Sequence, residues 1–164
     1  LREHVQFLVQ LKSSRSADAP LGDTVEAMAR PNLCEPFVLD IGHWHSLRPQ
    51  YDAVFSANCI HIIGWDLVGS YINGAARSLK PGGQMILYGP FKYGDEFTTD
   101  SNAEFDAFLK QQDPVSGIRN FEDINQFAEE SGLTLDKDLP MPANNQFVVW
   151  RKPKRGGASG DPDE

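Results

Sequence analysis

Apolar residues recur at helical spacing in several stretches of the chain, most clearly at 65–79, where Leu67, Val68 and Ile72 share one face. Such spacing is typical of a helix that packs one side against a core. Several of these stretches are followed by proline or glycine, which end helices. The predicted helices are residues 3–11, 23–30, 65–79, 102–112 and about 121–131.

The predicted helix at 102–112 carries two further expectations. Ser101 precedes it and is a suitable N-cap, because its hydroxyl can accept a hydrogen bond from a free backbone amide of the first turn. Phe105, Phe108 and Leu109 form its predicted buried face.

Short apolar runs alternate with these helices, and their β-branched and aromatic residues are typical of strands. The predicted strands are residues 36–41, 51–57, 84–88, 133–139 and 145–151. This order predicts an α/β fold with an open, mostly parallel sheet. The last two strands have no helix between them, so we expect them to pair antiparallel through 140–144.

The remaining segments are polar. Residues 12–22 and 89–100 are predicted loops, and the tail 153–164 lacks large apolar residues and is predicted to be disordered. The predicted domain is therefore residues 1–152.

Composition and charge narrow the class of protein. The 164 residues suffice for one domain, and a net charge of −8 gives no counterion-release affinity for nucleic acid. No apolar stretch approaches the roughly 20 residues that cross a bilayer, and no secretory leader is recognisable. We expect a cytoplasmic protein without a nucleic-acid or membrane partner.

Cysteine and histidine usage predicts neither a disulfide framework nor a metal site. Cys34 and Cys59 have no CxxC spacing, and reduced thiols fit a cytosolic protein. His43 and His45 flank Trp44, but no second cluster of ligands follows them, so no metal ligand is assigned.

The segment Leu79-Lys80-Pro81-Gly82-Gly83 joins the predicted helix 65–79 to the strand 84–88. Lys80 suits the negative end of a helix dipole, Pro81 prevents the helix from continuing, and the glycines allow a sharp turn. Physically the segment is a good helix-to-strand turn. It also resembles the turn before the fifth strand of class I methyltransferases.

Asp40 lies near the end of the apolar run 36–41. Ligands of open α/β sheets bind beyond the carboxyl ends of the strands, where a carboxylate can accept a hydrogen bond from an adenine amino group. The backbone amide of Ile41 can donate to a ring nitrogen. Asp40 can equally cap the loop around Gly42, and both interpretations stay open.

Asn58 and His61 follow the predicted strand 51–57 and should face the same cleft. The amide of Asn58 can orient a cofactor or a substrate. The imidazole of His61 can act as a base or position the substrate, because its pKa lies near neutral. A purely structural role for this histidine is the alternative.

Several less common strings narrow the resemblance. They are Tyr88-Gly89-Pro90-Phe91, Ser101-Asn102, Phe105-Asp106, Gly117-Ile118-Arg119 and Met141-Pro142-Ala143-Asn144-Asn145. From about Phe37 to Lys152 the chain resembles the family of methyltransferase-like protein 26, also known as domain of unknown function 938. The resemblance implies a Rossmann-like class I methyltransferase fold and S-adenosylmethionine as cofactor, but it implies no particular small-molecule or protein substrate.

Positions that match the family imply the site residues. The candidate catalytic residues are His61, Tyr88 and Asn144, and the candidate cofactor-binding residues are Asp18, Asp40, Ile41 and Asn58. The paired amides at Asn144 and Asn145 can be ordinary turn chemistry, and they can equally line a polar substrate pocket. Arg119 either binds an anionic group of the substrate or pairs with Asp106 or Asp113.

The start of the chain departs from the family's pattern. A class I domain begins with a strand and a glycine-rich loop that lets the cofactor approach the backbone. Neither precedes Glu3-His4, and Arg2 stands where glycine is expected. Asp18 is the only acid near the expected end of the second strand. We therefore expect the first strand to be missing and the cofactor to bind weakly.

Two classes of function remain at this stage. One is an S-adenosylmethionine-dependent methyltransferase, and the alternative is a non-catalytic methyltransferase-like binding module or an inactive truncated form. A nucleotide-cofactor oxidoreductase on a similar sheet is a weaker third option, because the Leu-Lys-Pro-Gly-Gly turn and the antiparallel strand pair argue against it.

Overall fold

The structure, a computed structural model, describes residues 39–44 and 51–154. The predicted helices 3–11 and 23–30, Asp18, Cys34 and the chain beyond Lys154 lie outside the described residues. The predicted strand 36–41 is described only from Leu39, which forms an isolated β-bridge. Ile41–His43 forms a 3-10 turn, so this strand ends earlier than predicted.

Helices and strands alternate along the described part of the chain. The helices are α1 (Trp65–Ser78), α2 (Asp100–Gln112) and α3 (Phe121–Glu130). The strands are β1 (Tyr51–Ala57), β2 (Leu79–Gly89), β3 (Phe91–Tyr93), β4 (Glu96–Phe97), β5 (Arg119–Asn120), β6 (Thr134–Met141) and β7 (Asn145–Arg151). None of the helices in this part of the chain is long and apolar enough to cross a membrane.

The main sheet has the strand order β1-β2-β7-β6, and β3, β4 and β5 form a second, smaller sheet. Strands β1 and β2 run parallel, whereas β7 runs antiparallel to both of its neighbours, β2 and β6. The predicted α/β class and the antiparallel pairing of the last two strands are therefore confirmed. A tight turn at Pro142–Asn144 joins β6 to β7.

Strand β2 begins at Leu79, five residues earlier than predicted, because part of the expected turn bulges out of the sheet. Tyr51 pairs with Leu79, whereas the next registered pair is Ala53 with Gln84. The Lys-Pro-Gly-Gly segment between these pairs is the extra length on β2. Gly82 within it has φ 85°, which a residue with a side chain adopts only under strain.

The end of helix α1 is satisfied by a residue far along the chain. The Lys152 ammonium donates to the carbonyl oxygens of Ala76 at 2.8 Å and Leu79 at 2.9 Å. Lys80, which we expected at this position, instead forms a 2.9 Å ion pair with Asp52. A cation does complement the helix terminus, but the end of β7 supplies it.

The core lies between helices α1 and α3 and one face of the main sheet. Its largest fully buried side chains include Trp150, Tyr71, Phe91 and Ile72. The Trp150 indole also donates a 2.9 Å hydrogen bond to Asn125 on α3. These contacts fix β7 against the helix.

Helix α2 differs from the prediction in its cap and its buried face. Thr99, rather than Ser101, is the N-cap, and its side chain accepts from the Asn102 amide. The buried residues are Asn102, Asp106 and Leu109, while Phe105 and Phe108 are 37% and 53% exposed. The helix buries polar side chains because they have hydrogen-bond partners, which an apolar pattern does not reveal.

The predicted loop 89–100 contains a short hairpin formed by β3 and β4. Gly94 and Asp95 connect the two strands, with φ 56° and 68°. Two central residues with positive φ are the mark of a type I′ turn, which a Gly-Asp pair favours. Strands of two or three residues are too short to show a period, so the pattern of apolar residues missed them.

Candidate functional site

A cleft of about 490 Å³ opens where strands β1 and β2 end. Its lining includes Asn58, which follows β1, and Pro90, which follows β2. Helix α2 and the turn before β7 supply the opposite wall through Phe105 and Asn145. The cleft therefore lies at the carboxyl edge of the parallel pair, where ligands bind in open α/β sheets.

Asn58 continues the ladder between β1 and β2 and then turns the chain. Its backbone amide donates to the carbonyl oxygen of Tyr88 at 2.8 Å, and its φ of 54° is left-handed. Asparagine tolerates this conformation better than most residues. A Cβ built on Gly89 would lie 3.3 Å from the Asn58 Oδ1 and 3.4 Å from the His61 ring, so this glycine leaves room for both side chains.

His61 is almost fully buried, at 2% exposure, and still lines the cleft. Its Nδ1 has no hydrogen-bond partner among the described residues, and its ring meets the edge of Phe105 at 5.7 Å between centroids. Burial, with a smaller contribution from the charge of Arg119, lowers the pKa of His61 to about 4. The imidazole is therefore neutral at pH 7, and burial disfavours its protonated form.

Arg119 holds the loop that carries His61. Its guanidinium donates to the carbonyl oxygens of Ile60 at 3.1 Å, Ile63 at 2.6 Å and Val115 at 2.8 Å. Burial lowers the pKa of Arg119, although this group stays protonated in proteins. Its described hydrogen bonds go to backbone carbonyls and its guanidinium lies 5.6 Å from the centroid of the Trp65 ring, which points to a structural role rather than to binding of a substrate anion.

Asp106 fixes the same region from the other side. Its buried carboxylate accepts from the Ile118 amide at 2.7 Å and pairs with Lys110 at 2.7 Å. The neighbouring Gly117 amide donates to the carbonyl of His61 at 2.8 Å. A Cβ on Gly117 would lie 2.9 Å from the Asp106 Oδ1, so the close packing depends on this glycine.

Side-chain amides link the remaining candidate residues. Asn145 donates to the Tyr88 hydroxyl at 3.2 Å. Asn102 donates to the carbonyl of Asn144 at 3.1 Å, and the Asn144 amide donates to the Ser101 hydroxyl at 3.0 Å. Tyr88 and Asn144 thus contact residues that line the cleft without lining it themselves, so the structure places them as supports.

The structure brings only part of the predicted site together. Asn58 and His61 share the cleft, whereas Asp40 and Ile41 are not in its lining. The exposed Asp40 accepts from the Gly42 amide at 2.9 Å, which is the loop-capping contact described above, and Ile41 is buried in the core. Asp18 lies outside the described residues.

Apolar lining residues are the part of the site that the sequence did not predict. Phe105 was expected in the core, and Ile62 and Leu109 were not considered as lining. Ile62 is 52% exposed within a run, Cys-Ile-His-Ile-Ile, that looks entirely buried. Phe105 and Pro90 do lie in two of the uncommon sequence strings named above, Phe105-Asp106 and Tyr88-Gly89-Pro90-Phe91. These strings were the signal in the sequence that the two residues belong to the site.

Comparison with known proteins gives a family and a fold. The family model described as "Protein of unknown function (DUF938)" matches residues 9–152. Among the solved structures, an S-adenosylmethionine-dependent methyltransferase, SibL, is similar with a TM-score of 0.65 and 20% identity, over 80% of this chain and 39% of that one.

Two further solved structures show the same fold. An O-methyltransferase family 2 protein from Planctomyces limnophilus, solved in complex with apigenin, has a TM-score of 0.65 at 17% identity, over 79% of this chain and 38% of that one. An O-methyltransferase family protein from Burkholderia thailandensis has a TM-score of 0.62 at 17% identity, over 74% and 36%. The chain thus has a methyltransferase-like fold and spans less than two-fifths of the length of each of these proteins.

Proposed function

We propose that this chain, which belongs to the DUF938 family of proteins of unknown function, is a methyltransferase that uses S-adenosylmethionine. The observation that carries the proposal is the meeting of Asn58 and His61 in one cleft at the carboxyl ends of two parallel strands. This edge of the sheet is where α/β folds bind nucleotide-like ligands. The methyltransferase-like fold supports the same function.

The residues predicted to bind the cofactor fit an adenosyl group in their chemistry, and of the described ones Asn58 lines the cleft whereas Asp40 and Ile41 do not. Asp40 offers an exposed carboxylate for hydroxyl or amino groups, and the Ile41 backbone amide follows it. The Asn58 amide offers both a donor and an acceptor, and it lines the cleft. We therefore assign Asp40, Ile41 and Asn58 to the cofactor, with Asp18 as a further candidate.

Bound S-adenosylmethionine supplies a methyl group on a cationic sulfur, which keeps the carbon–sulfur electron pair when an acceptor takes the methyl. The protein has to position that acceptor and remove its proton. We assign this proton to His61 because its ring lines the cleft, and the lowered pKa makes it a weak base. The loop contacts of Arg119 and Gly117 keep the imidazole at the cleft.

Cofactor binding is tested by titrating the whole protein with S-adenosylmethionine and following backbone amide resonances. We expect the largest shifts at Ile41 and Asn58, and about tenfold weaker binding for Asn58→Ala, which corresponds to roughly 1.4 kcal/mol. Asn73→Ala is the matched control, because Asn73 is exposed on α1 and does not line the cleft. Absence of shifts at both residues at millimolar cofactor would reject the proposal.

A measurement of methyl transfer distinguishes an enzyme from a non-catalytic binding module. With a labelled methyl donor and a set of hydroxyl compounds, we expect incorporation that His61→Gln abolishes while cofactor binding persists. Cofactor binding with no incorporation into any compound would favour the non-catalytic module.

A further inference from the structure

We infer that an exposed apolar patch beside the cleft is a docking surface for a basic segment of a partner protein, with an aromatic side chain as its anchor. The inference goes beyond the proposed function, because it concerns the binding of a partner next to the cleft and not methyl transfer. We call this surface the α2 patch, and it consists of Ile62, Trp65, Phe105, Phe108 and Val115.

Helix α2 turns two aromatic side chains outward and two polar ones inward. Phe105 and Phe108 are 37% and 53% exposed, while Asn102 and Asp106 are buried. The two phenyl rings stack on each other, with 6.5 Å between their centroids. Ile62, which lines the cleft together with Phe105, is 52% exposed. Single apolar side chains are common on protein surfaces, but a contiguous group of them marks a binding surface.

Val115 and Trp65 extend the patch past the end of α2. They are 48% and 41% exposed, and the Val115 Cγ2 would lie 3.9 Å from a Cβ built on Gly64, the residue before Trp65. The Arg119 guanidinium joins the two, because it donates to the Val115 carbonyl at 2.8 Å and lies 5.6 Å from the centroid of the Trp65 ring. The patch therefore runs along α2 and past its end, outside the cleft, which is more surface than a small molecule covers.

Carboxylates border the α2 patch at both ends. Glu104 and Asp100 are exposed one and two helical turns before Phe108, and the spacing of four residues puts all three on one face of α2. At the other end, Asp66 is exposed directly after Trp65. A partner segment with lysine or arginine on both sides of an apolar anchor matches this arrangement of charges, and the anchor packs on the aromatic side chains.

The cations near the patch do not balance these carboxylates, because they are engaged within the protein. Lys110 pairs with the buried Asp106 at 2.7 Å, and Arg119 donates to three backbone carbonyls. The net charge of −8 also attracts a basic partner over longer distances.

Two other occupants match these charges less well. A second copy of this chain would bring two acidic borders together, and like charges across an interface repel. Residues 1–38, which lie outside the described residues, carry four lysines and arginines and five aspartates and glutamates. They offer no excess of positive charge, so we assign the patch to a separate, basic partner.

The length of α2 sets the length of the partner segment. The helix has 13 residues and is about 20 Å long. An extended peptide of about seven residues reaches at most about 24 Å, so it can place a central aromatic side chain on the patch and lysines towards both acidic ends.

The experiment compares three peptides with blocked termini. The first is Gly-Lys-Lys-Phe-Lys-Lys-Gly, the second has alanine in place of phenylalanine, and the third has glutamate in place of every lysine. Binding to the whole protein at pH 7 is followed by NMR at the resonances of Ile62, Phe108 and Val115. We expect the first peptide to bind at least about tenfold more tightly than either of the others, and its affinity to fall as salt is added.

Variants of the protein test the two components separately. Glu104→Lys reverses a border charge and should weaken binding of the first peptide about tenfold. Phe108→Ala removes a patch side chain that does not line the cleft and should weaken it about fivefold or more. Glu130→Lys changes the net charge equally at an exposed position on α3 and is the matched control, with almost unchanged binding. All three positions are exposed, so we expect the variants to fold, which circular dichroism checks.

Three results would overturn the inference. They are equal or tighter binding of the alanine or glutamate peptide, equal losses for Glu104→Lys and Glu130→Lys, and absence of shifts at all three patch residues. In the last case sedimentation velocity distinguishes a second copy on the patch, which gives a dimer, from cover by another segment of the same chain, which gives a monomer. The peptides are tested without S-adenosylmethionine, so the result is independent of the proposed function.

Discussion

His61 shows how one buried side chain links the site to stability. Burial stabilises its neutral form, so the pKa is held near 4 in the folded protein, while an unfolded histidine titrates near 6.5. Between these pH values the unfolded chain binds a proton that the folded protein does not. Folding stability must therefore fall as the pH drops from about 6.5 towards about 4, and this residue has no effect above that range.

Replacing His61 should remove that pH dependence. Between pH 7.5 and pH 4.5 we expect His61 to cost about 2–3 kcal/mol of unfolding free energy, since each pKa unit corresponds to roughly 1.4 kcal/mol. Urea unfolding at both pH values measures the loss in the original protein and in His61→Gln. Other groups titrate in both proteins alike, so equal losses in the two would contradict the lowered pKa.

Arg119 and Lys80 predict a contrast between a partly buried and an exposed cation. Arg119→Met leaves three carbonyl oxygens of the loop segments without their donor and should cost about 2–4 kcal/mol. Lys80→Met breaks only an exposed ion pair with Asp52 and should cost less than about 1 kcal/mol. Urea unfolding compares the two variants, and similar losses would show that Arg119 does not hold the loop.

Helix α1 offers a prediction at the scale of an element. Alanine in place of a mid-helix glycine normally stabilises by up to about 1 kcal/mol. A Cβ on Gly74, however, would lie only 2.6 Å from the Trp44 Cγ, because the indole packs directly on this glycine. Gly74→Ala must displace Trp44 and should destabilise the protein by about 1–3 kcal/mol.

Thermal or urea unfolding measures the sign of that change. Asn73→Ala, one residue earlier and exposed, is the control and should be neutral or slightly stabilising. A gain in stability for Gly74→Ala would mean that Trp44 does not pack against α1.

The elements also show what the sequence could predict. Helix α1 and strands β1, β6 and β7 were predicted to within about two residues. The buried residues of α1 recur at helical spacing, whereas β6 is exposed along almost its whole length. The prediction for the buried face of α2 was right for Leu109 and wrong for Phe105 and Phe108, which are exposed. Asp106 and Asn102 are buried because they form hydrogen bonds with the Ile118 amide and the Asn144 carbonyl. These partners are distant in the sequence, so the local spacing of apolar residues does not predict them.

The candidate site, like the fold, could be predicted only in part from the sequence. Asn58 and His61 follow a recognisable strand, so a rule about strand ends placed them in the cleft. The contribution of α2 through Phe105 depends on how that helix docks, and the Arg119 contacts with Ile60 and Ile63 join segments more than fifty residues apart. Only the three-dimensional structure brings these residues together.

At the scale of the whole molecule, the last strand decides whether a folded unit exists. A chain ending at Asn144 lacks β7 and loses its pairing with both β2 and β6. It also loses Trp150 from the core and Lys152 from the end of α1. We expect no cooperative unfolding transition by circular dichroism for this truncation, whereas a chain ending at Lys154 keeps all the contacts named here. A cooperative transition in the shorter chain would contradict this role of β7.

The central position of β7 also constrains how the protein forms during translation. Strand β2 can pair with β1 as soon as both have emerged from the ribosome, but its other edge and strand β6 find their partner only when β7 follows. Until then both strands present unpaired backbone groups that can capture other extended chains. Assembly of the main sheet therefore awaits the synthesis of β7, and the open edges of β2 and β6 need shielding until then.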